Sequence, residues 1–313
     1  VAIGGGTGLA VLLRGLKSRV GRELEELVAV VTVSDDGGSS GRLRRDFGVL
    51  PPGDIRNCIV ALADDEALLA RLFQYRFENG EGLSGHSFGN LLLTALTGIT
   101  GDFYQAILTA ESILSVRGRI LPATLGDVRL RGAGLSGQVY EGESAVGRSG
   151  ERLASLELEP ADAEAFAPAV EALERAELIV LGPGSLYTSI LPNLLIPGIR
   201  RAVRQSRARK VLVLNLMTQP GETDGMNALE HLEAIEATAG SGLVDVVLTN
   251  STPPDPELVA HYAEAGSMTI AVDREALGAR GVELVERPLL SDDMGLIRHD
   301  PERLTRAVLE LIS

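Results

Sequence analysis

Val1-Ala2-Ile3-Gly4-Gly5-Gly6-Thr7-Gly8-Leu9 opens the chain, with three apolar residues, a glycine tract and the start of an apolar run over 9–16. The apolar triplet reads as a strand stub and the run as a helix. A second, valine-rich apolar run follows over 27–33, continuous enough for a strand covered on both faces. Strand, glycine-rich turn, helix, strand is a βαβ unit, so a right-handed crossover and a parallel sheet are expected.

The same rhythm returns in the last third. Apolar runs at 178–181, 211–214 and 244–248 alternate with helical patterns at 199–207, 228–238 and 256–265. A further strand is predicted over 283–286 and an amphipathic helix over 301–312. The middle differs. Helices are predicted over 54–63, 66–77, 87–96 and 102–115, then short strands over 127–131, 137–140 and 153–158. The expected fold class is therefore α/β. A mostly parallel sheet carries helices on both faces, and residues 84–160 form an inserted helical plus antiparallel β subdomain within a single domain spanning 1–313.

Composition narrows the function. The 313 residues carry 29 Lys and Arg against 43 Asp and Glu, a net charge of −14. An acidic chain without a basic tract is a poor binder of nucleic acid. The single cysteine, Cys58, excludes an intramolecular disulfide framework and a cysteine-built zinc or iron–sulfur site. Only Lys17 and Lys210 are lysines, which leaves little for a P-loop or Schiff base. No apolar run reaches the ~18 residues of a membrane span. No secretory signal is visible, and a reduced cytoplasmic location is the expectation. Because the sequence starts at Val1 inside a strand, trimming of the natural amino terminus is expected.

Chemistry-bearing residues follow the strands. In Gly4-Gly5-Gly6-Thr7-Gly8, glycines allow a tight turn and close approach of a phosphate, while the helix start offers unpaired N–H groups. A plain turn that needs glycine is the alternative. Ser34-Asp35-Asp36-Gly37-Gly38-Ser39-Ser40-Gly41 lies at the carboxyl end of the second strand, where α/β proteins bind ligands. It reads as a flexible loop whose adjacent Asp35 and Asp36 could hold Mg²⁺ or a ribose; a solvated turn is the alternative. Asp54 suits a helix cap, with Arg56 and Asn57 in its first turn. Arg56 opposes the helix dipole there, so it serves either an anionic ligand or an ion pair with Asp35 or Asp36. His86 and Asn90 frame another helix start, as phosphate or acid–base groups, or as capping and packing residues. Gly182-Pro183-Gly184-Ser185 repeats the first loop after a later strand. Two such loops facing each other suit a nucleotide diphosphate. Arg298 could reach back to a phosphate, or pair with Asp300. Neither a catalytic triad nor a histidine zinc pair is evident in the sequence.

Taken in order, VTVSDDGGSSGRLR, PPGDIRN, GHSFGNL and GPGSLYTSILPNLLIPGI resemble the gluconeogenesis-factor family, part of the CofD-like superfamily of 2-phospho-L-lactate transferase. The resemblance spans essentially the whole chain. It implies a Rossmann-like core and a site over Gly5, Gly6, Thr7, Gly8, Asp35, Asp36, Asn57, His86, Asn90, Gly182, Gly184, Ser185 and Arg298. It further implies a nucleotide ligand such as UDP-N-acetylglucosamine, NAD or GDP, with Mg²⁺ held by Asp35 and Asp36. A role in carbon flux and cell shape or envelope synthesis is implied too. A homo-oligomer and a regulatory protein partner are expected with it. In the transferase branch, relatives move a phospholactyl group from a guanosine diphosphate carrier to a deazaflavin with Mg²⁺; the SDDGGSSGR stretch departs from that branch. A Mg²⁺-dependent transferase is the alternative function, and an NAD-dependent oxidoreductase ranks last.

Overall fold

A computed structural model describes residues 1–64, 67–292 and 295–312. The expected start of one helix at Glu66 lies outside the described residues. Seven strands form the main sheet: β1 (Ala2–Gly4), β2 (Val28–Val31), β3 (Arg119–Pro122), β7 (Leu178–Leu181), β8 (Arg209–Val213), β9 (Val246–Asn250) and β10 (Glu283–Arg287). Three more, β4 (Arg129–Gly134), β5 (Val139–Glu141) and β6 (Leu153–Glu159), form a small antiparallel sheet in the order β5-β4-β6.

The main sheet runs β10-β9-β8-β7-β1-β2-β3, and every pairing in it is parallel. Numbered within this sheet alone, the order is 3-2-1-4-5-6-7, the doubly wound Rossmann arrangement with one strand added. The chain leaves β1 toward β2 and leaves β7 toward β8, in opposite directions. Right-handed crossovers then send the two sets of helices to opposite faces. The contacts agree. Helix α1 (Gly6–Leu16) packs on the helix Gly53–Leu62 and on the C-terminal helix Pro301–Leu309. The helices Ala167–Arg175 and Pro197–Gln205 pack on each other.

Burial on both faces explains the apolar runs. Every residue of β1, β2 and β7 is buried, so each strand reads as continuous Val, Ile, Leu and Ala. Helix α1 turns Leu9, Leu12, Leu13 and Leu16 into the same core. Its Gly15 is where the C-terminal helix crosses. A Cβ at this position would run into the Thr305 hydroxyl and the Pro301 carbonyl.

Two expectations need correction. The stretch 84–160 is not one insert, because Arg119–Pro122 within it is the edge strand β3 of the parallel sheet, paired with β2. Helices lead from β2 to β3, and only the antiparallel sheet is added between β3 and β7. The tract after Asp36 is also no flexible loop, since Gly38–Phe47 is a helix, with Ser39 and Ser40 buried. By contrast, helix Pro256–Glu264 buries no residue at all. Among the described residues no helix is long and apolar enough to cross a membrane.

Gly15→Ala tests the helix crossing. Alanine gains about 1 kcal/mol of helix propensity, but overpacking against a carbonyl costs about 1–3 kcal/mol. We expect a net loss of stability, read as a lower urea midpoint with unchanged circular dichroism.

Candidate functional site

The winding direction reverses between β1 and β7, and both strands end there in glycine loops. The two loops touch backbone to backbone. A Cβ on Gly8 would lie 2.5 Å from the Pro183 carbonyl oxygen and 2.8 Å from Gly184 Cα. Gly6 takes φ +63°, which favours glycine. Gly5 is extended, at φ −170°, and is required for another reason: a Cβ there would strike the Asp54 carboxylate. Thr7 is exposed on the first turn of α1, and Ser185 is half-buried on the second loop.

Four side chains fix the second loop. Asn215, just past β8, brackets Gly184: its Oδ1 accepts from the Gly184 N–H at 3.1 Å and its Nδ2 donates to the Gly184 carbonyl at 2.9 Å. Gln219 Nε2 donates to Ser185 Oγ at 2.8 Å. Asn193 Nδ2 donates to the carbonyls of Ser189 at 2.8 Å and Gly4 at 3.2 Å, tying this segment to the end of β1. Glu222 Oε1 accepts from the backbone N–H groups of Tyr187 at 2.7 Å and Thr188 at 3.1 Å. Burial pushes the Glu222 carboxyl up to about 7, although these N–H groups oppose the shift.

On the β2 side lie carboxylates. Asp35 Oδ1 accepts from the Gly37 N–H at 2.8 Å, and Ser40 also bonds its carboxylate. Burial raises its pKa. Asp54, in the first turn of helix Gly53–Leu62, accepts from the Gly6 N–H. Burial and the nearby Asp35 charge push it up to about 7. Glu143 Oε2 accepts from Ser34 Oγ at 2.8 Å. Burial, with Asp54 and Asp35 adding to it, holds Glu143 well above the usual carboxylate range. All three keep some exposure to solvent.

Asp35 and Asp36 take different hydrogen-bond partners, although the Asp36 charge helps raise the Asp35 pKa. Asp36 Oδ1 accepts from the Ser144 N–H at 2.9 Å, and the carboxylate lies against Gly142, fixing the turn that presents Glu143. Asp35 also lies close enough to Asp54 for its charge to raise the Asp54 pKa. Among the described residues no three His, Cys, Asp or Glu side chains are arranged to hold a metal by themselves. The half-buried carboxylates Asp35 and Asp54 still fit Mg²⁺, which characteristically takes one or two carboxylates and fills its shell with phosphate oxygens and water.

Arg56 makes its hydrogen bonds away from Asp35, Asp36 and Asp54. Its Nη1 donates to Ser87 Oγ at 2.6 Å and its Nη2 to Asn57 Oδ1 at 2.7 Å. Burial lowers its pKa, while Asp54 and Asp35 oppose the shift. Its Nε is buried with no hydrogen-bond partner. His86 and Asn90 sit behind the site and are buried. His86 Nδ1 pairs with Ser39 Oγ at 2.9 Å, and Asn90 Nδ2 donates to Ser39 Oγ at 3.2 Å. Both brace the helix whose Ser40 holds Asp35, and burial lowers the His86 pKa. Arg298 is exposed on the segment between β10 and the C-terminal helix. Its neighbour His299 is buried against the Leu214 backbone.

From the sequence Asp54 reads as a cap, and Glu143 stands in no motif. Asn193 lies within GPGSLYTSILPNLLIPGI as a lone amide in the apolar run Leu191-Pro192-Asn193-Leu194-Leu195, and Gln219 and Glu222 lie in the polar tract that follows β8.

Asp54 yields a pH prediction. Its folded pKa is about 7 against an ordinary value of 3.8, so between these the folded chain holds a proton that the unfolded chain releases. This contribution to stability falls as pH rises through that window. Asp54→Asn should therefore lose less stability than the parent between pH 3.8 and about pH 7, measured as urea midpoints. Asp35→Asn should lower the Asp54 pKa, followed by carboxyl carbon NMR.

A family model described as 2-phospho-L-lactate transferase CofD matches residues 1–290. The gluconeogenesis factor of Halalkalibacterium halodurans is 47% identical over 310 residues, covering 99% of this chain and 95% of that protein. That of Bacillus subtilis is 43% identical over 309 residues, covering 99% and 96%. A crystal structure of a UPF0052 family member from Bacillus halodurans superposes with a TM-score of 0.93 at 46% identity, covering 98% of this chain and 97% of that one. The chain belongs to the CofD family, with the gluconeogenesis factors as its relatives.

Proposed function

We propose that the chain binds a nucleoside diphosphate ligand of the UDP-sugar or NAD type at the β1/β7 switch point. As a cytoplasmic gluconeogenesis factor it would thereby regulate carbon flux and cell shape or envelope synthesis, acting as a homo-oligomer with a regulatory protein partner. One observation carries the binding reading: two glycine loops at the carboxyl ends of adjacent parallel strands, pressed together at Gly8 and Gly184. Backbone N–H groups at a helix start bind phosphate without lysine, and this chain has only two lysines. In the switch-point crevice of an open parallel sheet, nucleotides are the ligands such loops hold best.

A second reading rests on the carboxylates. Asp54, poised near neutral pH beside Asp35, can exchange a proton with a bound ligand. Mg²⁺ on Asp35 and Asp54 would supply charge neutralisation at phosphate oxygens. This is the equipment of a Mg²⁺-dependent transferase resembling 2-phospho-L-lactate transferase. A regulator could use the same groups for binding alone.

Calorimetric titration with UDP-N-acetylglucosamine, NAD and GDP, with and without Mg²⁺, followed by product analysis, separates the readings. We expect binding of at least one of them with no turnover. Conversion of the ligand would favour the transferase, and no binding of any would end both. Asn215→Ala frees Gly184 and should weaken that binding about tenfold, the equivalent of one good hydrogen bond, with the fold intact.

A further inference from the structure

The stretch 178–221 holds no Asp or Glu, in a chain with 43 of them and a net charge of −14. Its cations crowd into one short segment: Arg200, Arg201, Arg204, Arg207, Arg209 and Lys210. Helix Pro197–Gln205 carries the first three on its outer side, with Ile199, Ala202 and Val203 buried beneath them. Some of the group have structural duties. Arg204 Nη1 donates at 2.8 Å to the carbonyl of Ala239, the last residue of helix Ala228–Ala239. Lys210 Nζ donates to the Ser206 carbonyl at 2.7 Å, and Arg209 pairs with Glu283. Arg200, Arg201 and Arg207 make no hydrogen bond or ion pair among the described residues. Arg201 and Arg207 are exposed and Arg200 is half-buried.

Nothing local rewards this arrangement. Like charges at i, i+4, as in Arg200 and Arg204, oppose helix formation. The helix dipole favours Arg204 in the last turn and gives nothing to Arg200 and Arg201. Two grooves run along the helix. One, of about 500 Å³, is lined by Ala165, Val170, Pro197 and Arg201, with Glu164 and Glu171 on its other bank. A Cβ on Gly198 would meet the Ala165 Cβ at 2.5 Å, so the helix start is pinned against this groove. The second, of about 350 Å³, is lined by Pro197, Arg200, Arg201, Arg204 and Gln205. The two share Pro197 and Arg201, so a partly apolar channel runs into a cationic one. The helices on either side are acidic. Helix Ala167–Arg175 exposes Glu171 and Glu174, and helix Ala228–Ala239 carries Glu230, Glu233 and Glu236 with no lysine or arginine. The cationic strip is therefore one helix wide, about 10–12 Å, and about 13 Å long.

We infer that this face docks a partner protein through an acidic, amphipathic segment. Its carboxylates meet Arg200 and Arg201, and its apolar residues enter the channel beside Val170 and Pro197. The inference takes from the proposed function only the presence of a protein partner, and nothing from nucleotide binding. The width of the strip selects this occupant. A bilayer or a nucleic-acid duplex laid over it would press phosphates onto Glu171 and Glu174, against the charge of an acidic chain. A single slender segment covers the arginines alone. The flanking glutamates then repel a misplaced acidic partner, so charge sets the register as well as the attraction.

Fluorescence anisotropy tests this with a labelled amphipathic peptide of about four helical turns, leucine on one face and glutamate elsewhere. The parent chain should bind it, less tightly as salt rises. Arg200→Glu combined with Arg201→Glu should weaken binding at least about tenfold. Arg14→Glu combined with Arg306→Glu makes the same charge change at exposed positions on the helices of the opposite sheet face, and should stay within about twofold. Arg201 is exposed and makes no bond, so Arg201→Glu alone, expected to weaken binding about threefold, decides the matter if the double variant fails to fold. No binding by the parent, unchanged binding in Arg201→Glu, or an equal loss in the control pair would overturn the docking face. Arginine-dependent binding of phosphatidylglycerol vesicles or duplex DNA, as tight as that of the peptide, would overturn the protein partner in favour of a membrane or nucleic acid. UDP titrated into the same samples reads the switch point separately. UDP bound without peptide overturns this inference alone, and peptide bound without UDP leaves it standing.

Discussion

Everything at the candidate site depends on one close approach, that of the α1 start to the loop after β7. Gly8 has no room for a Cβ because the Pro183 carbonyl and Gly184 Cα occupy that space. Two backbones in direct contact expose their polar groups side by side, and side chains are kept out of the crevice between them. The polar residues around it serve this contact. Asn215 and Gln219 fix the outer part of the loop, Asn193 ties it to Gly4, and Glu222 fixes the turn after it. These groups hold two loops that sheet pairing alone would leave independent.

The electrostatics divide the crevice. Asp54 takes the Gly6 N–H, a group that a phosphate would otherwise claim. A carboxylate at a helix start is favourable by itself, but here Asp35 and Glu143 share the same half-buried space, and the like charges raise one another's pKa. The cluster is therefore best satisfied with a proton or a cation in it. The carboxylates therefore make the β2 flank the acidic side of the crevice. A groove over β8 and β9, by contrast, is lined by uncharged residues.

Most of the sheet was legible in the sequence because strands buried on both faces leave continuous apolar runs, as in Val28–Val31 and Leu178–Leu181. Arg119–Pro122 escaped detection for the opposite reason. It is a four-residue edge strand that begins in an exposed arginine and ends in proline. Helix Gly38–Phe47 starts with Gly-Ser-Ser-Gly, poor helix formers held in place by burial, so tertiary contact overrides local propensity. The glycine loops were legible, since a strand, a glycine tract and a helix in succession have few other uses. The carboxylate cluster was only half legible. Asp35 and Asp36 are adjacent, but consecutive side chains leaving a strand point in different directions. The true neighbours, Asp54 and Glu143, come from distant segments that no spacing rule connects.

That divergence at 35 and 36 has a mechanical side. Asp35 faces the crevice through Gly37 and Ser40, while Asp36 grips Ser144 at the foot of the antiparallel sheet. Glu143 then returns to Ser34, closing a ring of side-chain bonds around the exit of β2. A rigid ring transmits displacement. Through Asp36 and Gly142 the ring reaches strand Val139–Glu141, whose outer residues lie open to solvent. The exit of a fully buried strand is thus tied by side-chain bonds to a strand at the molecular surface.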